Sequence, residues 1–201
     1  MSKLEKCVFE WEHFLTYLCG PIDFDPEGGK EWRLEWTKAL IDLGFKASQV
    51  LSPTKKPLSN TKFHLDNEAD IIQKYRSDKN WNALSSTMSE IAHIDLRLVD
   101  KSDIILAKFP LDKNGNRVFT VGSIHEIVVA RQQKKPVMVV WDGGKETCSA
   151  WLMWLVGHQN VFSSFEELLE RLKKMSNGEA AINVKDWLLL DFNKNLKDGA
   201  N

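Results

Sequence analysis

The sequence lacks the charge bias and the long apolar runs that define several classes of protein. It has 27 Lys and Arg against 28 Asp and Glu in 201 residues. The net charge of −1 excludes a strongly basic nucleic-acid binder and a polybasic membrane-surface protein. No apolar run approaches the roughly 18 residues of a membrane span, and the acidic N-terminal stretch does not match a signal peptide. We therefore expect a cytoplasmic protein that binds neither polymeric nucleic acid nor a membrane.

Cysteine clusters and glycine-rich phosphate motifs are also missing. Cys7, Cys19 and Cys148 are far apart and odd in number, so they indicate neither a disulfide framework nor a zinc site and fit a reducing compartment. The five histidines are not paired with carboxylates at metal-ligand spacing. Neither G-x-G-x-x-G nor G-x-x-x-x-G-K-[ST] occurs. The sequence thus predicts no metal and no cofactor.

What the sequence does contain is an alternation of strand and helix signals. Apolar strands are predicted at 13–19, 45–51, 103–109 and 136–141, with shorter signals at 118–123 and 159–162. Helical periodicity is predicted at about 32–43 and about 85–99. Further helices are predicted after the 118–123 signal to about 134, at 151–156, and from Ser163 onward. This order predicts an α/β fold, with a doubly wound (flavodoxin- or Rossmann-like) parallel five-stranded sheet flanked by helices.

We expect a single domain over residues 1–201, with two additions to the α/β pattern. The polar stretch at about 54–82 is predicted to be an insertion or lid, with a possible helix at 68–75, and Trp81 within it is a candidate for stacking on a flat ligand. The polar stretch at about 176–201 is predicted to be a C-terminal extension whose apolar part, 187–192, docks on the domain or on a partner. In doubly wound sheets ligands bind at the carboxyl ends of the strands. The loops after Cys19, Phe109 and Trp141 are therefore the candidate site.

Three motifs near these loops carry possible chemistry. The first strand ends in Y-L-C-G-P-I-D, from Tyr17 to Asp23, where glycine allows a close backbone approach; an ordinary turn would look the same. The second motif is T-V-G-S-I-H-E, from Thr120 to Glu126, at the start of a helix. Ser123 and Glu126 match a capping box, S-x-x-E, but a carboxylate near a helix N-terminus is also a candidate nucleophile. Both interpretations stay open.

The third motif is H-I-D-L-R-L-V-D-K-S-D, which contains Asp95 and Asp103. Asp103 is most simply a turn or cap residue before its strand. Asp95 is predicted near a helix C-terminus, where the helix dipole disfavours an acid. Such a cost is more often tolerated at a functional position.

Together these motifs resemble the nucleoside 2-deoxyribosyltransferase family and its relatives, the 5′-monophosphate N-glycosidases. The family's first strand ends Y-[LF]-[AC]-G-P/S, as Tyr17 to Pro21 do here. A central Asp precedes a D-[IV]-x-[LV] strand by eight residues, as Asp95 precedes Asp103. A helix opens with D/S/T-x-G-x-x-x-E, as Thr120 to Glu126 do. The resemblance covers roughly residues 13–175.

This resemblance implies cleavage of the N-glycosidic bond of a (deoxy)nucleoside or nucleotide and transfer of the sugar to another base. Glu126 would form a covalent glycosyl intermediate, Asp95 would protonate the leaving base, and Tyr17 would orient Glu126. The partners would be a small-molecule nucleoside or nucleotide and a free nucleobase, in a homo-oligomer that is a dimer or larger. The substrate-binding residues implied are Gly20, Pro21, Asp23, Thr120, Gly122, Ser123 and, at a position that the family contributes to a neighbouring subunit, Asn160.

One departure from the family pattern keeps an alternative open. The transferases usually have Asp six residues before the nucleophile, where this chain has Thr120. A hydroxyl there resembles the monophosphate N-glycosidases, and loss of the negative charge removes repulsion against a phosphate. The first alternative is therefore a 5′-monophosphate nucleoside N-glycosidase, which is a hydrolase. The second alternative is a non-catalytic nucleotide-binding module.

Overall fold

The computed structural model describes residues 5–6, 8–23, 25, 28–55, 68–118, 120–182 and 187. Within these residues the strands are β1 (Glu5–Lys6), β2 (Thr16–Cys19), β3 (Val50–Leu51), β4 (Ile104–Phe109), β5 (Val137–Trp141), β6 (Val161–Phe162) and β7 (Ala181–Ile182). The α-helices are α1 (Lys30–Asp42), α2 (Glu68–Ser77), α3 (Trp81–Lys101), α4 (Val121–Gln132), α5 (Ala150–Val156) and α6 (Phe165–Ser176).

Five of these strands form one parallel sheet in the order β3-β2-β4-β5-β6. The predicted fold class is confirmed. The chain winds outward from β2 to β3 in one direction and from β4 to β6 in the other, so the strand order reverses between β2 and β4. In an open α/β sheet this reversal leaves a crevice at the carboxyl ends of the two strands. The short strands β1 and β7 pair with each other, antiparallel and outside the main sheet.

The alternation of side chains along β2 assigns its residues to two separate cores. Leu18 packs with α1 and α6, in a cluster where the rings of Trp36 and Phe165 stack 4.2 Å apart. Tyr17 and Cys19 point to the opposite face and pack under α3, α4 and α5. Because successive residues of a strand face opposite sides, the first motif necessarily sends its tyrosine and cysteine to the α3–α5 side.

Four predicted strands differ from the structure. The one predicted at 159–162 is only β6, at Val161–Phe162, because 158–160 form a 3₁₀ turn. β2 begins at Thr16 because the chain up to His13 forms a turn of 3₁₀ helix. β3 has only two residues, since 47–49 form a second 3₁₀ turn. The strand predicted at 118–123 is wrong: α4 already begins at Val121, and Phe119 lies outside the described residues.

The helix boundaries follow their caps. The helix expected at 68–75 is confirmed as α2. α3 starts earlier than predicted because the Asn80 side chain accepts a hydrogen bond from Ala83 N at 3.2 Å, which makes Trp81 a helical residue. α6 is capped by Ser164 and not by Ser163, since the Ser164 hydroxyl accepts from Glu167 N.

The predicted insertion and C-terminal extension are only partly described. Residues 56–67 of the insertion and 183–186 and 188–201 of the extension lie outside the described residues. Trp187 packs against the α1–α6 core. Within the described ranges, no helix combines the length and apolarity needed to cross a membrane.

Candidate active site

A cavity of about 330 Å³ lies at the crevice between β2 and β4, on the α3–α4 side. It takes in most of the residues predicted for the site and adds apolar ones that the motifs did not indicate. The loop after β2 contributes Gly20, Ile22 and Asp23, α2 contributes Ile72, α3 contributes Met88, Ile91 and Asp95, and the start of α4 contributes Thr120, Val121, Gly122, Ser123 and Glu126.

The central contact of the cavity joins Tyr17 to Glu126. Tyr17 is fully buried, and its hydroxyl donates to Oε1 of Glu126 at 3.0 Å. Burial raises the pKa of Tyr17 well above its usual range, and the negative charges of Glu126 and Asp95 raise it further. The phenol therefore stays protonated and acts as the donor. Glu126 and Asp95 both line the cavity, and the buried Tyr17 is joined to it through Glu126.

The start of α4 excludes one of the two interpretations of Glu126, the capping box. The N-cap is Thr120, whose Oγ1 accepts a hydrogen bond from Ser123 N at 3.4 Å and lies 2.7 Å from Ser123 Oγ. Ser123 is thus inside the helix, and the predicted S-x-x-E capping box is wrong. The Glu126 side chain accepts the hydrogen bond from Tyr17 and lines the cavity.

Cys19 provides a second link between β2 and α4. Its thiol lies 3.5 Å from the carbonyl oxygen of Ser123 and donates to it. Burial raises the pKa of Cys19 well above the usual thiol range, with the charge of Glu126 adding to the effect. The thiol stays neutral, which fits a packing and hydrogen-bonding role and not a nucleophilic one.

The two aspartates of the third motif lie at opposite ends of the sheet. Asp95 is 7% exposed on α3 and lines the cavity. Asp103 precedes β4, and its carboxylate accepts a hydrogen bond from Leu15 N at 2.8 Å, ahead of the neighbouring strand β2. Asp103 therefore fastens the amino edge of the sheet, as the simpler interpretation of that residue predicted.

Arg33 is a buried residue that the sequence reasoning missed. From α1 it donates to the carbonyl oxygens of Leu18 at 3.2 Å, Gly20 at 2.8 Å and Gly29 at 2.8 Å. Burial lowers the pKa of Arg33, and the negative groups nearby, Tyr17 and Cys19 if ionised and Glu126, act in the opposite direction. Its guanidinium fixes both ends of the loop that follows β2. The only sequence signal for Arg33 was its position next to Trp32, on the helix face that is buried. That position looks like part of the core and does not indicate a contact with the loop after β2.

The loop itself passes close to α1. A Cβ on Gly20 would lie 2.7 Å from Cζ2 of Trp32 and 3.0 Å from the carbonyl oxygen of Lys108, so the glycine is needed for the close approach. Pro21 is buried beside it but is not among the described residues that line the cavity. Pro21 therefore shapes the loop, and its predicted contact with substrate stays a prediction.

A bidentate ion pair joins this loop to α2. Arg76 donates to the two carboxylate oxygens of Asp23 at 2.6 and 2.5 Å. The pair holds α2 across the cavity, where Ile72 contributes to the wall. Nothing in the local pattern around Arg76 indicated a partner 53 residues away.

Besides Pro21, two predicted ligand-contacting residues are not among the described residues that line this cavity. Asn160 is buried in the turn before β6, at the amino edge of the sheet, and its Nδ2 donates to Val156 O at 2.7 Å. Its predicted role in a neighbouring subunit's site stays a prediction. Trp81 opens α3, is 60% exposed, and is not among the described residues of the cavity wall.

With this geometry in place, the chain can be compared with known proteins. No protein-family model and no curated protein matches it. Among solved structures it is similar to a 2-deoxyribosyltransferase of the psychrotolerant bacterium Bacillus psychrosaccharolyticus, with 16% identity, 87% of this chain and 96% of that chain covered, and a TM-score of 0.49. It is also similar to the CMP N-glycosidase BcmB of Clostridium botulinum, with 12% identity, 78% and 95% covered, and a TM-score of 0.41. Both are of the kinds of enzyme that the motifs resemble.

Proposed function

We propose that this chain is a nucleoside 2-deoxyribosyltransferase-like enzyme that cleaves an N-glycosidic bond and transfers the sugar to another base. One observation carries the proposal: the buried Tyr17 hydroxyl donates to Glu126 at the wall of a cavity that Asp95 also lines. A hydrogen-bonded carboxylate, a second carboxyl group and room for a small ligand are the parts that retaining glycoside chemistry needs.

In the first step Glu126 is the nucleophile. A carboxylate oxygen forms a bond to C1′ of the sugar while the bond from C1′ to the base nitrogen breaks through an oxocarbenium-like transition state. Asp95 supplies the proton that the departing nitrogen needs. Tyr17 holds Glu126 by its hydrogen bond, so the attacking carboxylate is oriented before the substrate arrives.

In the second step a new base, or water, attacks C1′ of the glycosyl ester. The bond from C1′ to Glu126 breaks, the carboxylate is regenerated, and Asp95 takes back the proton of the incoming nucleophile. Transfer is favoured when the closed pocket keeps water from the intermediate. The apolar wall formed by Ile72, Met88 and Ile91 supports this choice, because it offers a flat heterocycle a surface beside the carboxylates.

The polar start of α4 favours one alternative substrate. Thr120 and Ser123 present hydroxyls 2.7 Å apart at the N-terminus of a twelve-residue helix, and both line the cavity. Hydroxyls and a helix N-terminus suit an anionic group. The alternative activity is therefore hydrolysis of a nucleoside 5′-monophosphate at the same carboxylates.

Product analysis separates these activities. The chain is incubated with nucleosides and nucleoside 5′-monophosphates, with and without a second free base, and the products are resolved by HPLC. Exchanged nucleoside that forms only with added base means transfer; free base without an acceptor means hydrolysis. Glu126→Ala should abolish either activity, and turnover by that variant would refute the mechanism. Nucleotide binding without any product from the wild-type chain would instead identify a binding module.

A further inference from the structure

A second cavity, of about 320 Å³, lies between α1 and the turn that follows β3. Its charged and hydroxyl-bearing lining residues, which define what we call the α1 pocket, are Lys30, Arg33, Thr37, Ser52, Thr54 and Lys55. Among the described residues, the α1 pocket shares no lining residue with the candidate active site. Its described wall combines three cations with three hydroxyls and contains no carboxylate.

Two of these hydroxyls are held in place by the turn itself. Ser52 Oγ accepts a hydrogen bond from Thr54 N at 3.2 Å and lies 2.8 Å from Thr54 Oγ1. A hydrogen bond between two hydroxyls uses only one of their two protons, so the other can be donated to a ligand. Since Ser52 is buried, the pair is a fixed part of the wall.

Arg33 is the buried charge of the α1 pocket, with only 2% of its surface exposed. A guanidinium has five N–H groups, and three of them donate to carbonyl oxygens around the loop after β2. The other two have no acceptor among the described residues. Burial lowers the pKa of Arg33, which means that the nearby acids, Glu126 and Asp25, offset its desolvation only in part. An anion in the pocket would supply both the missing charge and the missing acceptors.

We propose that the α1 pocket binds the phosphoryl groups of a diphosphate, either inorganic pyrophosphate or a phosphorylated metabolite, independently of the substrate in the candidate active site. Each phosphoryl group presents several acceptor oxygens and a negative charge, which match ammonium groups, a guanidinium and a hydroxyl donor. Lys30 and Lys55 supply one cation from α1 and one from the turn. A single carboxylate would leave most of this positive charge uncompensated. The volume is at the small end of ligand sites, which suits a compact anion.

A ligand in the α1 pocket should stabilise the loop that lines the candidate active site. Arg33 anchors this loop through main-chain oxygens, so a ligand that holds the guanidinium also holds the loop. The pocket exists only in the folded state, because its walls come from α1 and from the turn after β3. Binding should therefore raise the melting temperature as the ligand concentration increases.

Isothermal titration calorimetry of the full chain, in buffer free of divalent cations, tests inorganic phosphate, inorganic pyrophosphate and ADP as ligands. Pyrophosphate should bind at a single site. Lys30→Gln combined with Lys55→Gln should weaken its binding by about 100-fold or more, because each charge-assisted contact is worth about 10-fold. Lys38→Gln is the matched control, since Lys38 is an exposed cation on the same helix that does not line the pocket.

The comparison of pyrophosphate with ADP identifies the source of the phosphoryl groups. ADP that binds equally or more weakly identifies inorganic pyrophosphate. ADP that binds at least about 10-fold more tightly identifies a phosphorylated metabolite, whose apolar part can contact Leu34, a lining residue that is 53% exposed. In either case the double variant should lose the binding.

A wild-type chain that binds neither diphosphate contradicts the proposal, and so does a folded double variant that binds as tightly as the wild type. An equal loss in Lys38→Gln also contradicts it, because the affinity would then come from the general charge of the helix. Lysine acetylation of the wild type, read by mass spectrometry, needs no variant: pyrophosphate should protect Lys30 and Lys55 but not Lys38, and equal acetylation with and without it overturns the proposal. None of these measurements depends on turnover, which the HPLC assay tests separately.

Discussion

Replacing Tyr17 by phenylalanine removes one oxygen atom and with it the central contact of the candidate site. The phenol is fully buried and donates to Glu126 at 3.0 Å. The phenylalanine ring keeps the packing against the α3–α5 core. The substitution therefore isolates the hydrogen bond from the side chain that carries it.

The expected loss differs between the free enzyme and the transition state. A hydrogen bond to a charged group is worth about 1.5 to 3 kcal/mol. In the free enzyme water can reach the cavity and replace the phenol as donor to half-buried Glu126, so the free energy of unfolding should fall by only about 1 kcal/mol. With substrate bound, water is excluded and Glu126 must be held by the protein alone. The turnover rate should then fall by about 10- to 100-fold.

The assay is the HPLC rate measurement with saturating nucleoside, together with thermal unfolding of the same samples. Tyr75→Phe is the matched control, since Tyr75 is the other tyrosine of the chain and lies on α2, half-exposed. Tyr17→Phe should lower kcat while KM changes little, and Tyr75→Phe should change neither. A folded Tyr17→Phe variant with wild-type kcat would refute the positioning role of this hydrogen bond.

Three further predictions concern stability. Gly20→Ala should lower the free energy of unfolding by about 1 to 3 kcal/mol, because the new methyl group has no room. Gly122→Ala should raise it by up to about 1 kcal/mol, because a Cβ there has no atom within 4 Å and alanine favours the helix. Thermal denaturation of the two variants tests both directions of change. Arg33→Met should destabilise the fold by at least about 3 kcal/mol in urea denaturation, since three carbonyl oxygens lose their donor, and Arg33→Lys should not restore it because an ammonium cannot form the same fork. Burial raises the pKa of Cys19 and of Tyr17, so the folded state keeps protons that the unfolded chain releases above about pH 8.5 (Cys19) and about pH 10 (Tyr17). The free energy of unfolding should therefore fall as the pH rises through this range. Tyr17→Phe should make that fall shallower above about pH 10. A melting temperature that rises over that range would contradict the assignment.

The parts of the fold that the sequence predicted are those with strong local signals. The apolar run that became β4 could be recognised because both faces of that strand are buried, so its signal is continuous. The length of β3 was overestimated, because only two of its residues pair with β2. The residues before it include apolar ones, but 47–49 form a 3₁₀ turn. Pairing partners, not composition, set the length of an edge strand.

The candidate site shows the same division. Thr120, Gly122, Ser123 and Glu126 could be singled out from sequence because they lie at one strand-to-helix connection, where local spacing defines the motif. The competing capping box could not be rejected from sequence, since Thr120 and Ser123 are both good capping residues and only the true start of α4 decides between them. Arg33 and Arg76 were missed because their partners lie on other elements, where a single sequence gives no indication of contact.

The way Arg33 holds the loop after β2 has a consequence for how this site can change. Arg33 donates its hydrogen bonds to the main-chain oxygens of Leu18, Gly20 and Gly29. Every amino acid has such an oxygen, whatever its side chain. The path of the loop is thus largely independent of which side chains it carries toward the cavity, such as that of Ile22. Substrate preference can drift, or be redesigned, by exchanging such residues while the anchor and the carboxylates stay in place.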